Sequence, residues 1–456
     1  MKNIVNFQKF PGLFKVLGPG FIWMALAQGS GELIWWPYLI AKYGTFFLSL
    51  LIPACLLQWP LNYEIGKYTL ITGESIFTGF YRIGKNFSIL LWLLMVVSFL
   101  WFGAFASAGG TALADLTHFP SQLSSRGQTF FWGALSIVFF YIIVMRLRST
   151  YNFVESFMTL VALVTFFGLI WAVSDPSIFD FFDSFVVGLY TFPTSMPEQW
   201  ENADATKLIT AISFAGLGGF WILFYSYWLQ SKGLGLRKSH KQKNLVIIPP
   251  NSYNFSIWKK WLTFLKIDIS IGIFGNIVTT LLMCFLSLAI LHSKDLIPDG
   301  YHIASVQSEF FILRWGEFGK YLFLFIAAAF LADTWLATAD AFSRINCDFL
   351  PKISIKAKKL NQGNKLYKNL FTIITLITFM TMFLDQPGSL IQLSALIGFA
   401  GTLIFPIALY YLNYCFLPKQ YPEFLDGQSY SKYWLLLVFI IYTILLVLFL
   451  YFKFLI

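Results

Sequence analysis

Long apolar runs alternate with short polar loops along the whole chain, and the runs have the length to cross a bilayer as helices. Eleven spans are predicted, over residues 16–41, 45–63, 88–112, 128–145, 153–173, 208–231, 268–292, 320–343, 368–384, 388–415 and 433–452. Most hold no formal charge, as the cost of placing one in hydrocarbon demands. The first run outlasts a signal sequence and lacks a small-residue cleavage site, so it reads as a permanent span.

Two spans break the pattern. Span 1 carries Gln28-Gly29-Ser30-Gly31-Glu32 at its centre: two glycines, two neutral polar side chains and a carboxylate where lipid tolerates none of them. Glycine weakens the helical ladder, and irregular backbone at membrane depth survives only inside protein or beside water. The expectation is two half-helices whose ends expose amides, carbonyls and Glu32 to a polar site. A glycine-kinked packing helix is the alternative; it accounts for the glycines but not for the carboxylate.

Span 6 carries Gly216, Gly218 and Gly219, with Ser213 before them and Tyr225, Ser226, Tyr227 and Gln230 after. Spans 1 and 6 each open a group of five, and five is odd, so the two groups enter the membrane from opposite sides. Interrupted segments at matching places in inverted halves point to a central site in an alternating-access transporter. The predicted architecture is all-α: a first repeat over 16–173, a second over 208–415, and an extra helix over 433–452.

Composition supports a membrane protein. The 456 residues are 57% hydrophobic and 12% charged, against about 25% charged in soluble domains. The net charge of +10 does not indicate nucleic acid, because the bases sit in membrane-flanking loops. Lys2, Lys9 and Lys15 precede span 1; Lys67, Arg82 and Lys85 lie between spans 2 and 3; Arg146 and Arg148 follow span 4. The stretch from Ser231 to Lys266 carries Lys232, Arg237, Lys238, Lys241, Lys243, Lys259 and Lys260 without an acid, and Arg344 and Lys352 follow span 8. Opposite them, Asp175, Asp180, Asp183, Glu198, Glu201 and Asp204 meet no base before Lys207. The alternation predicts an inner or plasma membrane protein with its N-terminus cytoplasmic and its C-terminus outside.

Catalysis is not indicated. There is no phosphate-binding G-x-x-x-x-G-K-[ST] motif and no arranged nucleophile–histidine pair. Cys55, Cys284, Cys347 and Cys415 are too scattered for a disulfide scaffold or zinc site, and His118, His240, His292 and His302 form no spaced cluster. No cofactor is implied. The stretch Glu64–Gly84 reads as the end of span 2 followed by an amphipathic interfacial helix, with Thr72 and Glu74-Ser75 as its capping residues.

Gly18-Pro19-Gly20-Phe21, Ile71-Thr72-Gly73-Glu74-Ser75, Asp268, Asn276 and Phe405-Pro406 occur in an order that fits the eleven-span map. In these features the chain resembles the Nramp (natural resistance-associated macrophage protein) family of divalent metal transporters, over nearly its whole length. The resemblance implies a LeuT-like fold of 5+5 inverted repeats with helices 1 and 6 broken. It does not carry the family's ligands. Gly29-Ser30-Gly31-Glu32 stands where the family has D-P-G-N, and Phe220-Trp221-Ile222 stands where it has M-P-H. The family's proton route is missing too: span 3 has no acid, span 9 no arginine, and the two helix 6 histidines fall on Ile222 and Tyr227. A divergent member is implied, with a different substrate, a different coupling, or both.

Two substrate readings stay open. In one, Glu32 and Gln28 hold a partly hydrated magnesium or manganese ion with Ser30 and the carbonyls of Ala215, Gly216, Leu217 and Gly218, since hard cations take oxygen ligands. In the other, the amides of Gly29, Gly31 and Gly218 hold the carboxylate of an amino acid while Glu32 holds its amine, with Phe220, Trp221 and Tyr225 against the organic part. The first comes with loss of the proton route, hence uncoupled transport. A non-transporting sensor or scaffold is a third reading. Gln392 and Gly219 are further candidates for the site, and Ser394 for an interhelical hydrogen bond. Asp333, Asp268 and Asn276 are candidates for gating or coupling, while Asp340 is expected to reach water at the inner end of span 8. Lipid and a small solute are the expected partners, and a monomer suffices.

Overall fold

The computed structural model describes residues 4–147, 150–238, 245–361, 364–425 and 430–454. Lys2, Arg148, His240, Lys241 and Lys243, and the side chains of Ser30, Arg237 and Lys238, lie outside the described ones. The chain is an assembly of helices, and each predicted span coincides with helical segments. The first forms α1 (Pro19–Ala27), a π-helical stretch over Gln28–Trp35, and α2 (Trp36–Tyr43). A short turn of helix at Leu51–Leu56 leads into α3 (Gln58–Thr72). The third span is α4 (Lys85–Phe99) and α5 (Gly103–Thr117), joined by a turn; α6 (Ser125–Arg146) and α7 (Thr150–Val173) follow. The sixth is split into α8 (Asp204–Ser213) and α9 (Phe224–Ser231). Beyond it run α10 (Ser252–Leu286), α11 (Glu317–Ile353), α12 (Lys365–Thr381), α13 (Pro387–Tyr410) and α14 (Tyr430–Phe454).

Among the described residues, seven helical stretches have by themselves the length and apolar content to cross a membrane. The spans outside that set are the first, which passes through a π-helical stretch, the second and sixth, which are interrupted, and α12, which has 17 residues. Large side chains such as Phe139, Phe167, Phe325 and Val447 are exposed on the outer helices. Trp23 of α1, Trp36 and Tyr38 of α2, Phe224 and Trp228 of α9 and Trp258 of α10 belong to one buried core. Apolar side chains on the outside of a helical bundle fit a hydrocarbon surround.

Five expectations are corrected. The Gln28–Glu32 stretch is not unwound: it is a π-helix that extends to Trp35. Wider turns keep the carbonyls and amides paired within the segment, so the backbone is satisfied without a break. α10 begins well before residue 268, because the basic stretch ahead of it is amphipathic: Trp258, Trp261, Phe264 and Leu265 are buried while Lys259, Lys260 and Lys266 are exposed. Lys67 is not a loop charge but a buried residue of α3, paired with Glu64 at 2.7 Å, because a buried charge demands a partner. Asp340 does not reach water: it is buried, 2.7 Å from Arg344 of the same helix, and accepts hydrogen bonds from Thr150 (3.0 Å) and Tyr367 (2.5 Å). In the interfacial helix Ile76–Ile83, the Ser75 side chain is the cap, accepting the Thr78 N–H at 3.2 Å, whereas Glu74 is committed to Arg82.

Candidate functional site

The sixth span breaks where its glycines predict. α8 stops at Ser213, the chain turns through Phe214–Gly218, and a short 3-10 stretch over Gly219–Leu223 restarts it before α9. Gly216 has φ +114°, a conformation that side chains other than glycine rarely take, and a Cβ there would lie 2.7 Å from the Trp23 ring and 3.2 Å from Gln58 Cγ. The turn is therefore wedged between α1 and α3.

That turn takes the Gly216 N–H out of the helical ladder, where it is shared between the Phe214 carbonyl at 2.7 Å and Glu32. Glu32 Oε1 accepts the Gly216 N–H at 2.7 Å and the Asn276 Nδ2 at 2.7 Å. The π-helix turns the Glu32 side chain towards both α8 and α10, and Gly29 in the same stretch lets it close on α11, where a Cβ would come within 1.9 Å of Thr334 Oγ1. Gln28 joins through α10: its Nε2 donates to Thr279 Oγ1 at 2.8 Å, and Thr279 donates to the Asn276 carbonyl at 2.9 Å. Glu32, Gln28 and Asn276 are fully buried.

Half of this network is unsatisfied. Glu32 Oε2, Gln28 Oε1 and Asn276 Oδ1 are buried acceptors without a hydrogen-bond partner. Unpaired acceptors in a low-dielectric interior are costly, so groups of this kind call for a water, a cation or the donors of a ligand. Among the described residues no three His, Cys, Asp or Glu side chains cluster as a ready-made metal site. The donor set is one carboxylate with amide oxygens, a hard and weakly charged set.

The remaining candidates divide. Asp268 lies at the start of α1, accepting the Gly18 N–H at 3.3 Å and the Tyr225 hydroxyl at 2.9 Å, and Tyr225 is thereby committed to helix packing. Phe220 packs edge-on against Phe405, and the Trp221 indole donates to Thr338 at 3.0 Å. Neither ring contributes a polar atom to Glu32. Asp333 is buried in α11 with Thr334 as its hydrogen-bond partner at 3.4 Å and its Oδ2 unpartnered. Gln392 is half-buried and hydrogen-bonds to none of the described residues, so it does not join Glu32; the α13 residue that does make an interhelical link is Ser394, which donates to the Ser98 carbonyl at 2.7 Å. Ala215, Leu217, Gly218 and Gly219 are buried in or beside the turn.

Sequence reading missed the second span. Cys55, Gln58 and Asn62 are fully buried and spaced three and four residues apart, one face of a helix. Polar residues at that spacing in an apolar run are the signal that was available. Asn62 accepts the Trp23 indole N–H at 3.1 Å, so the face points at α1.

Ion pairs close both ends of the first span. At the acidic end, the buried Asp204 carboxylate accepts hydrogen bonds from Tyr38 (3.1 Å), Lys42 (2.8 Å) and Tyr43 (2.6 Å), with Lys207 at 3.2 Å. Burial pushes this carboxyl upward, yet the hydrogen bonds from Lys42 and Tyr43 and the nearby Lys207 charge together hold it below the ordinary aspartate value. At the basic end, Lys232 donates to the Leu17 carbonyl and pairs with Glu155 of α7. Beside it, a polar cavity of about 350 Å³ is lined by Tyr227, Gln230, Arg344, Asp348, Asn364 and Tyr367.

No family model matches the sequence, and comparison with curated proteins finds no relative. Solved structures do share the fold. The chain is similar to the manganese transporter of Eremococcus coleocola in complex with an aromatic bis-isothiourea compound, at 13% identity and TM-score 0.65, covering 97% of this chain and 88% of that one. It is also similar to MhsT in complex with L-phenylalanine, at 16% identity and TM-score 0.58, covering 95% and 98%. A third is Mhp1, a nucleobase-cation-symport-1 family transporter in a closed conformation, at 13% identity and TM-score 0.56, covering 95% and 92%. At these identities the likeness carries the fold, an all-α integral membrane architecture of the kind the Nramp resemblance implied.

Proposed function

We propose that this chain is an alternating-access transporter that moves a divalent cation, magnesium or manganese, through a site formed by Glu32, Gln28 and Asn276 beside the sixth-span turn. The observation that carries the reading is the buried Glu32 carboxylate, held by Gly216 and Asn276 through one oxygen and unpartnered at the other. A cation entering there meets one formal negative charge and amide oxygens. That is enough to replace part of a hydration shell and little enough to release the ion again. The turn carbonyls of Ala215, Gly216, Leu217 and Gly218 would supply further oxygens. The Eremococcus coleocola protein is named as a manganese transporter, which agrees with a cation as cargo.

The small-organic reading is weaker at this site. Phe220, Trp221 and Tyr225 are spent on contacts with Phe405, Thr338 and Asp268, so these three do not form an aromatic wall for an amino acid at Glu32. In the proposed arrangement, eleven spans form two inverted five-helix groups and a final extra helix. The Lys232 end and its polar cavity face the cytoplasm, in keeping with the positive-inside bias. Asp268 and Asp333 act in gating. Transport is uncoupled, since residues 88–112 of span 3 hold no acid and residues 368–384 of span 9 no arginine.

Purified protein in liposomes tests the reading. Magnesium or manganese flux down an imposed gradient, unaltered by a pH gradient and abolished in Glu32→Gln, is the expected result. Absence of flux for magnesium, manganese and calcium would remove the cation assignment.

A further inference from the structure

A cavity of about 500 Å³ lies at the acidic end of the molecule, between α8, the last turns of α14 and the irregular stretch 192–200. Ile209 and Ile212 of α8 and Leu448 and Phe452 of α14 are among its walls. Leu448 is also 44% exposed, so the cavity is continuous with the apolar outer surface that meets hydrocarbon. The stretch 192–200 adds Thr194, Ser195 and the Trp200 indole. The Trp200 ring is held by Tyr43 and Phe47, at 5.7 and 5.6 Å between ring centroids, yet its Nε1 is buried without a hydrogen-bond partner among the described residues. A buried indole N–H ordinarily finds an acceptor. A second apolar groove, between α5, α6, α7 and α11, makes the contrast: the Trp132 indole that lines it donates to the Phe119 carbonyl at 2.7 Å.

We propose that the cavity at the end of α14 is a binding site for one acyl chain of a membrane glycerophospholipid, whose ester carbonyl accepts the Trp200 indole N–H. The inference is separate from the cation reading above. Hydrocarbon alone would fill the apolar walls and leave the indole unsatisfied. An ester carbonyl joins the chains to the headgroup, so it sits at the depth where a spanning helix ends and where tryptophan gathers, and it is an acceptor without a donor of its own. Thr194 and Ser195 then lie on the headgroup side and the isoleucines of α8 on the chain side. α8 leads from this cavity to the sixth-span turn, so an occupied cavity braces the first half of that span against α14.

Photocrosslinking tests the site. Full-length protein is reconstituted in phosphatidylcholine vesicles containing a diester phosphatidylcholine with a diazirine near the end of one acyl chain, and adducts are located by peptide mass spectrometry. Adducts at Ile209, Ile212 and Phe452 are expected to exceed those at Phe139 and Phe325 of the second groove by about fivefold or more. Unlabelled diester lipid is expected to compete about fivefold better than its diether counterpart, which has the same headgroup and chains and no carbonyl. Trp200→Phe keeps the ring contacts and should erase that difference. Leu448→Trp fills the cavity from its exposed side and should cut adducts at Ile209 and Ile212 by about tenfold, with those at Phe139 unchanged. Adducts spread evenly over both surfaces overturn the proposal. Equal competition by diester and diether lipid in the wild type also overturns it, since the indole is then left to water, and so does stronger displacement by a free fatty acid or by detergent than by the diester lipid. Should Leu448→Trp fold poorly, Trp200→Phe decides through the diester-to-diether ratio. No readout involves cation uptake, so this proposal and the cation reading fail separately.

Discussion

The carboxylate of Glu32 accepts the backbone N–H of Gly216 at 2.7 Å, joining two residues 184 positions apart at the one place where the sixth span leaves its helix. The bond defines the site from both sides: the turn takes the donor out of the helical ladder, and the π-helix brings the acceptor to it. Asn276 secures the same oxygen, and the other has no hydrogen-bond partner among the described residues.

Removing that charge should abolish transport without unfolding the protein. Glu32→Gln keeps the shape and a carbonyl oxygen for the Gly216 N–H. Cation uptake is expected to fall by more than about tenfold, because ligand charge dominates hard-cation affinity. Liposome flux normalised to folded protein checks this, and flux at the wild-type level excludes Glu32 as a ligand.

The close approach of the π-helix to α11 gives a paired prediction. In Gly29→Ala the new methyl meets Thr334 Oγ1 and should cost about 1–3 kcal/mol of stability. Adding Thr334→Ala removes the obstruction and should return most of the loss. Thermal melting of the single and double variants measures the coupling; additive effects would mean that the two residues do not touch.

Asp204 should behave as a pH-insensitive clasp across the neutral range. Its carboxyl is held below its unfolded value of about 4, so its stabilisation is complete above that value and is lost only as pH falls through the lowered folded value. Melting temperature should therefore show no Asp204-dependent change between pH 5 and 8 (about one unit above the free carboxyl value upward). Asp204→Asn leaves Lys42 and Lys207 without their shared carboxylate and should cost about 3 kcal/mol. A variant that melts with the wild type would show the cluster to be ornamental.

Lys232 should govern opening at the basic end. In Lys232→Met the contacts to Leu17 and Glu155 are lost, while Asp268 still accepts the Gly18 N–H at the start of α1. Hydrogen exchange over residues 18–22 is expected to accelerate by about tenfold, with little change in α10. Equal protection in variant and wild type would place the closure elsewhere.

The spans were legible because the bilayer imposes a local criterion, a run of apolar residues of fixed length, that each segment meets or fails by itself. Glu32, the glycines of the sixth span and the polar residues of the first were legible for the same reason: lipid excludes them, so they announce themselves. Their partners were not. Asn276 read as a packing or gating residue and Cys55 as a stray thiol, because nothing in their own segments says which helix they face. The choice between an unwound stretch and a π-helix at Gln28–Trp35 was likewise undetermined, since glycine permits both and the close fit of Gly29 to Thr334 selects between them. Lys67 and Asp340 looked like solvated charges near span ends; Glu64 and Arg344, supplied within their own helices, make burial affordable only once neighbouring helices exclude water. Apolar length is a property of a segment alone, whereas the pairing of polar groups depends on what the fold sets beside them.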